Sequence, residues 1–218
     1  MIEAIDFSGV PVIQSETLVD ILLKDKKINR YLTSLKGESP ETYYHSISVA
    51  RLTEKVARKL KVKNIEDVVT GALLHDVGKI FVPGSILNKP SSLTEGEFDN
   101  IRLHPINGLF YIMSDFNDEV NRIVRDHHEK LDGTGYFYGI TDLTFGTQIV
   151  TVCDMYDAMT KREIYKEKYS PAVSLTLLWK DADRNKVNPI VVDALAKIVA
   201  KEIRENIEND ANVEKLPN

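Results

Sequence analysis

Cysteine is almost missing from this chain of 218 residues. The single thiol, Cys153, rules out an internal disulfide framework, and its setting beside Val152 and Tyr156 suits a small core residue of a protein working in a reducing cytoplasm better than a nucleophile. Long apolar runs are missing as well. No window approaches the roughly 18 residues a membrane span needs, and Met1 to Val12 has acidic residues but no basic leader of the kind that directs export. With a net charge of −5 and scattered Lys and Arg there is no basic stripe, so long nucleic acid finds no footprint, while a local pocket for a nucleotide-sized anion remains open. No stretch shows sustained period-two alternation between hairpin turns, which leaves an all-α fold. Repeats, low-complexity tracts and dividing linkers are likewise missing, and 43% hydrophobic with 28% charged residues fits one ordinary globular domain.

The periodicity predicts helices with recognisable ends. From Ser15, suited to an N-cap, Leu18, Ile21, Leu22, Ile28, Leu32 and Leu35 keep roughly one face, and Lys24-Asp25-Lys26-Lys27 reads as solvated surface. After a break at Lys36 to Pro40, a helix turns Val49, Leu52, Val56 and Leu60 inward. Extended backward, its stripe reaches His45 and Glu41, a pair explained equally by an intrahelical hydrogen bond and by ligation. A helix over about Ile65 to Val77 delivers His75 and Asp76 in its last turn, with Gly78 read as its left-handed end. Thr94-Glu95-Gly96-Glu97 forms a capping box, and Pro105 breaks or restarts the helix, biasing His104 out of ordinary helical geometry. A helix from about Asp118 continues its apolar face to His127, with His128 at its end. Asp154 and Asp157, at i and i+3 of an apolar helix, need partners if buried. Ser170-Pro171 and Asn188-Pro189 each open a helix, the second running to about Asn209. The expected organisation is an N-terminal helical extension over 1–37, a catalytic domain over 38–210 and a flexible tail over 211–218.

Histidine is scarce too, yet His45, His75, His104, His127 and His128 all fall between positions 45 and 128, each near a carboxylate or another histidine. A lone imidazole on an apolar stripe is ordinarily a hydrogen-bonded core residue. Several together point to a metal, because imidazole and carboxylate are the common ligands of zinc, manganese and iron, and burying them unpaired costs about 1–3 kcal/mol each.

The order His45, His75-Asp76, Asp154 resembles the metal-binding skeleton of the HD superfamily of phosphohydrolases. Lys79, Leu87-Asn88-Lys89-Pro90, His104-Pro105, His127-His128-Glu129, Asp132-Gly133, Gly135-Tyr136 and Asp154 to Thr160 narrow the likeness to its HD-GYP subfamily, over about Pro40 to Leu178. The resemblance implies an all-α HD-domain helical bundle and a metal-dependent phosphodiesterase that hydrolyses a cyclic dinucleotide, typically cyclic di-GMP, to linear dinucleotide or GMP with metal-activated water. Two or three divalent ions are implied, with iron or manganese expected. Position by position, His45, His75, Asp76 and Asp154 would hold one metal, and Asp76 would bridge to a second held by His104, His127 and His128. Glu41 matches the acidic ligand of a third. Asp76 and Lys79 would be catalytic, with Lys79 contacting a phosphate oxygen or the attacking water unless it is a surface lysine. Tyr136, Arg162 and Lys166 would join Lys79 in binding substrate.

Two departures bear on substrate identity. Phe137 stands where the subfamily has the proline of Gly-Tyr-Pro, so the loop loses a rigid residue. Glu163 stands where a phosphate-binding arginine is expected, and would repel a phosphodiester unless Arg162 or Lys166 takes over. Alternatives are therefore hydrolysis of another nucleotide phosphoester, or a metal-containing signalling module of low turnover. A signalling-protein partner at the Gly133–Phe137 loop and a homodimer are the further expectations.

Overall fold

A computed structural model of the chain describes residues 16–161 and 168–213. Ser15, Arg162, Glu163 and Lys166 lie outside the described residues, as does the expected tail beyond 213. In chain order the elements are α1 (Leu18–Leu22), α2 (Lys26–Glu38), α3 (Pro40–Lys59), α4 (Ile65–Leu74), a 3₁₀ turn (Val77–Phe81), α5 (Gly84–Leu87), α6 (Glu95–Arg102), α7 (His104–Ile112), α8 (Asp118–Asp126), α9 (Phe145–Thr160), α10 (Pro171–Asp183) and α11 (Pro189–Val213). Among the described residues every regular element is helical, as expected, and none is long and apolar enough to cross a membrane.

The predicted helix onsets at Thr94, Ser170-Pro171 and Asn188-Pro189 stand where the caps put them, and α3 opens on Pro40 at the end of the predicted break, capped by Ser39. The first segment differs. Instead of one helix through Lys24–Lys27, the Asp25 carboxylate accepts the Lys27 and Ile28 amides at 2.8 and 3.0 Å and starts a new helix, so local side-chain capping overrides the continuous stripe and Ile21 is left exposed. Buried Glu54 of α3 accepts the Leu18 and Val19 amides at 3.1 and 3.2 Å, docking the start of α1 on α3. Val19, Ile28 and Leu32 thereby enter the same core as Val49, Val56, Leu73, Ile123, Ile149 and Leu195.

Gly78 also differs from expectation. Helix α4 stops at Leu74, and Gly78 lies in the 3₁₀ turn with no left-handed backbone; only Gly133 and Gly139 among the described glycines have positive φ. Its smallness serves approach. A methyl group at Gly78 would run into the His104 carbonyl oxygen and the Gly108 amide of α7, and Gly108 in turn has no room beside Val124 of α8. Two bare backbones therefore cross, which brings the end of α4 against the start of α7.

Gly78→Ala is expected to lower stability by about 1–3 kcal/mol through overpacking. Gly37→Ala in α2, where nothing lies within 4 Å of an added Cβ, should raise it by about 0.5–1 kcal/mol. Urea denaturation midpoints check both signs; midpoints equal to the parent protein's at Gly78 would contradict the close crossing.

Candidate metal centre

Five elements deliver their chemical residues to one place. Helix α3 supplies His45 near its start; the end of α4 supplies His75 as C-cap and Asp76 immediately after; α7 begins on His104; α8 ends in His127 and His128; and α9 carries Asp154. The break before α7 falls at Leu103, which closes α6 and opens the next helix, so His104 is the first residue of a restarted helix. These side chains form two groups, His45 with His75 and Asp154, and Asp76 with His104, His127 and His128; within each group, ligand-type atoms lie within 4.8 Å of one another. Glu41 is exposed in the first turn of α3, outside both groups.

Backbone carbonyls three residues back fix three of the imidazoles. Nδ1 of His75 lies 2.8 Å from the Ala72 carbonyl, Nδ1 of His104 2.7 Å from that of Ile101, and Nδ1 of His127 3.0 Å from that of Val124. A carbonyl only accepts, so each Nδ1 carries the proton and each Nε2 of a neutral ring turns a lone pair inward. The three rings are no more than 1% exposed. Burial lowers the His104 pKa despite Asp76, and burial followed by the neighbouring imidazoles lowers that of His127 further. Burial pushes His128 down to about 3.

The consequence is a surplus of acceptors. The Nε2 atoms of His104 and His127 face each other at 3.2 Å, and Nε2 of His75 is buried with no hydrogen-bond partner. Asp76 adds two more acceptors. Burial favours its neutral form, but the Lys79 ammonium, 2.8 Å from Oδ2, holds it well below the carboxylate range. Its Oδ1 lies 3.2 Å from His104 Nε2, while Oδ2 lies 3.4 Å from His75 Nε2 and 3.9 Å from His45 Nε2. One carboxylate thus has an oxygen toward each group. Lone pairs this close need a cation between them, and the N/O donor set suits a borderline divalent metal. Residues and group fit.

His45 is held between two carboxylates. Its Nε2 contacts Asp154 Oδ1 at 2.9 Å and its Nδ1 contacts Asp157 Oδ2 at 2.7 Å, so both ring nitrogens face acceptors. Burial opposes protonation, yet the two carboxylates raise its pKa to about 10. Asp154 is shifted the other way: burial opposes its charge, and the His45 contact with the nearby imidazoles depresses it.

Asp157 is a residue that the sequence flagged only as a carboxylate in need of a partner. It orients His45 and is itself held by the Ser48 hydroxyl at 2.5 Å and Lys161 at 3.1 Å. Ser48, three residues after His45 on α3, carries no signal beyond that spacing. Thr151 was also missed; its hydroxyl donates to the His127 carbonyl at 2.8 Å and ties α9 to the end of α8.

Tyr136 reaches the same place through the glycine loop. Its ring packs on His128 with centroids 4.7 Å apart and planes at 33°. Burial and then the Asp76 and Asp154 charges raise its hydroxyl pKa. Buried Glu129 accepts the Tyr138 amide at 2.7 Å, and Gly135 lies so close over Glu129 that no side chain fits there. Cys153 is buried, its thiol pushed up to about 12 by burial, as suits a core residue.

The sequence pattern of the HD domain family matches residues 25–191. A cyclic di-GMP phosphodiesterase of Pseudomonas aeruginosa is 37% identical over 152 residues, 66% of this chain and 36% of that protein. A 3′3′-cGAMP-specific phosphodiesterase of Vibrio cholerae is 32% identical over 164 residues, 72% of this chain and 35% of that protein. The chain thus spans about a third of the length of these curated relatives. Among solved structures, the HD domain of the phosphodiesterase PgpH of L. monocytogenes, in complex with cyclic-di-AMP, aligns with a TM-score of 0.62 at 20% identity, over 78% of this chain and 95% of that one. The likeness establishes the helical fold.

Asp157→Asn is expected to weaken Mn²⁺ binding about 10- to 100-fold, because an outer partner of a ligating imidazole sets its orientation and basicity. Calorimetric titration of the metal-free protein checks this; unchanged affinity would remove Asp157 from the site.

Proposed function

From the premise that this chain belongs to the HD domain family, we propose that it is a metal-dependent phosphodiesterase that hydrolyses a cyclic dinucleotide, cyclic di-GMP in the first place. The single observation that carries the proposal is the buried surplus of acceptors divided about Asp76. Two ions are proposed, one for each group, with His45, His75 and Asp154 on one side, His104, His127 and His128 on the other and Asp76 shared. A third held by Glu41 lacks support, since that side chain is exposed and apart. Iron or manganese is the metal proposed for this mixture of imidazole and carboxylate. When bound, such a pair lowers the pKa of water at neutral pH and neutralises charge on phosphoryl oxygens.

The chain's own residues supply order and charge. The i−3 carbonyls hold the imidazoles in the tautomer whose Nε2 faces the centre, so no reorientation is needed when substrate arrives. Asp76 stays ionised, and Lys79 beside it places an ammonium where a phosphate oxygen or the attacking water would come. Tyr136 walls the mouth on the His128 side. Roles for Arg162 and Lys166 in binding substrate, with Glu163 between them in the sequence, belong to the same proposal. So do a partner contact at the Gly133–Phe137 loop, a homodimer, and action in the cytoplasm, the last supported by the lone buried thiol.

A second reading, 3′3′-cGAMP as substrate, is favoured by the Vibrio relative named for that specificity. The test is anaerobic incubation of the Mn²⁺- or Fe²⁺-loaded protein with each cyclic dinucleotide, with chromatography of the products beside an Asp76→Ala control. Linear dinucleotide or GMP from the intact protein alone is the expected result. Lys79→Ala should keep its metal and lose on the order of a hundredfold in kcat, the size of one lost electrostatic contact to the transition state. No product from a metal-filled protein with either substrate would overturn the proposal.

A further inference from the structure

The loop that carries Tyr136 hangs on one carboxylate. Glu129 follows His128 directly, and its backbone is fixed on both sides: its own amide donates to the Asp126 carbonyl at 2.8 Å, and that of Leu131 to the Lys186 carbonyl at 3.0 Å. The side chain is 1% exposed. Oε1 accepts the Tyr138 amide at 2.7 Å, while Oε2 is buried with no hydrogen-bond partner. Gly135 lies over that second oxygen so closely that an added methyl group would collide with it. Taking a carboxylate out of water for one hydrogen bond is unfavourable, and an apolar side chain of that size would avoid the cost, so its presence calls for a role.

The loop shows what that role is. Gly133 and Gly139 both have positive φ, 76° and 65°, and a methyl on either would lie 3.4 Å from the other's carbonyl oxygen, so the two ends of the loop meet at a narrow neck. Among the described residues, the Tyr138 amide makes the one hydrogen bond that joins 135–139 to the rest of the protein. With Phe137 where a proline would stiffen the backbone, that bond carries more of the loop's shape. Tyr136, midway between the two glycines, packs on His128 with centroids 4.7 Å apart. The carboxylate thus pins the chain two residues after Tyr136 and seats Gly135 one residue before it. Resting on the reading of the site as a cyclic-dinucleotide phosphodiesterase, we propose that Glu129 is a positioning residue that holds Tyr136 against His128 as the wall on which substrate binds. It acts as a hydrogen-bond acceptor and through Tyr136, and its charge is not part of the role.

Glu129→Ala and Glu129→Gln, each made with Tyr136 intact and with Tyr136→Ala, test this in the Mn²⁺-loaded protein. The quantities read are kcat and KM for cyclic di-GMP and 3′3′-cGAMP, metal content, and amide hydrogen exchange over 133–139. In Glu129→Ala, KM should rise about tenfold, the scale of one lost hydrogen bond, with kcat and metal content little changed and exchange over 133–139 faster. Glutamine keeps an acceptor oxygen in the same place and should restore the parent protein's KM and protection. With Tyr136→Ala already present, Glu129→Ala should add less than about twofold, because no ring is left to position. A loss confined to kcat or to metal content, a glutamine variant as impaired as the alanine one, or effects of the two alanine substitutions that multiply would overturn the inference. If Glu129→Ala does not fold, Gly135→Ala displaces the same loop with Glu129 intact and must raise KM likewise; an unchanged KM would overturn it. If the parent protein cleaves neither dinucleotide, the phosphodiesterase reading fails by itself. Hydrogen exchange then decides for Glu129: protection lost with alanine and kept with glutamine supports the tether, and equal protection in all three proteins overturns it.

Discussion

The structure depends on lone pairs that face one another without protons between them. His75, His104 and His127 spend their only proton on a backbone carbonyl, and Asp76 is held ionised among them. In water such an arrangement would cost little; inside a core where each unmatched polar atom costs about 1–3 kcal/mol, it is a standing penalty. His45 differs, since the Asp154 and Asp157 carboxylates raise its pKa against burial. The same acceptors that destabilise an empty interior are what divalent cations bind, so metal affinity and fold stability are coupled through one set of atoms.

The rest of the fold can be read as what brings those atoms together. Three of the imidazoles sit at helix ends, where a side chain can bond back to a carbonyl one turn earlier while its ring points out of the helix. The ends meet because Gly78 and Gly108 let a 3₁₀ turn and α7 cross backbone to backbone. From α9, Asp154 enters the site while Asp157, one turn on, clamps His45, and Thr151 ties the end of α8 to the same helix. Buried apolar residues of the same core, Val49, Leu73, Ile123 and Ile149 among them, fix the helices' spacing.

Much of this was legible in the sequence because it is written in local chemistry. Cap residues marked helix starts at Thr94 and Ser170, and the resemblance to the HD superfamily, carried by the order His45, His75-Asp76, Asp154, named the members of both groups. What escaped is non-local or competes locally. Asp25 reads as one charge in a charged run until its carboxylate is seen to cap α2. Gly78 reads as a helix end, because nothing in the sequence says that the His104 carbonyl lies against it. Glu41 keeps helical register with His45 and is exposed in the first turn of α3. Asp157 announced that it needed a partner without saying which.

On the proposed reading these acceptors form one centre for two cations that share Asp76. Crystals of the Mn²⁺-loaded protein, with diffraction recorded at the manganese absorption edge, test it directly. Two anomalous peaks on either side of Asp76 are expected, one ringed by His45, His75 and Asp154 and the other by His104, His127 and His128. A single peak that Asp76 does not touch, or none in metal-saturated crystals, would contradict it.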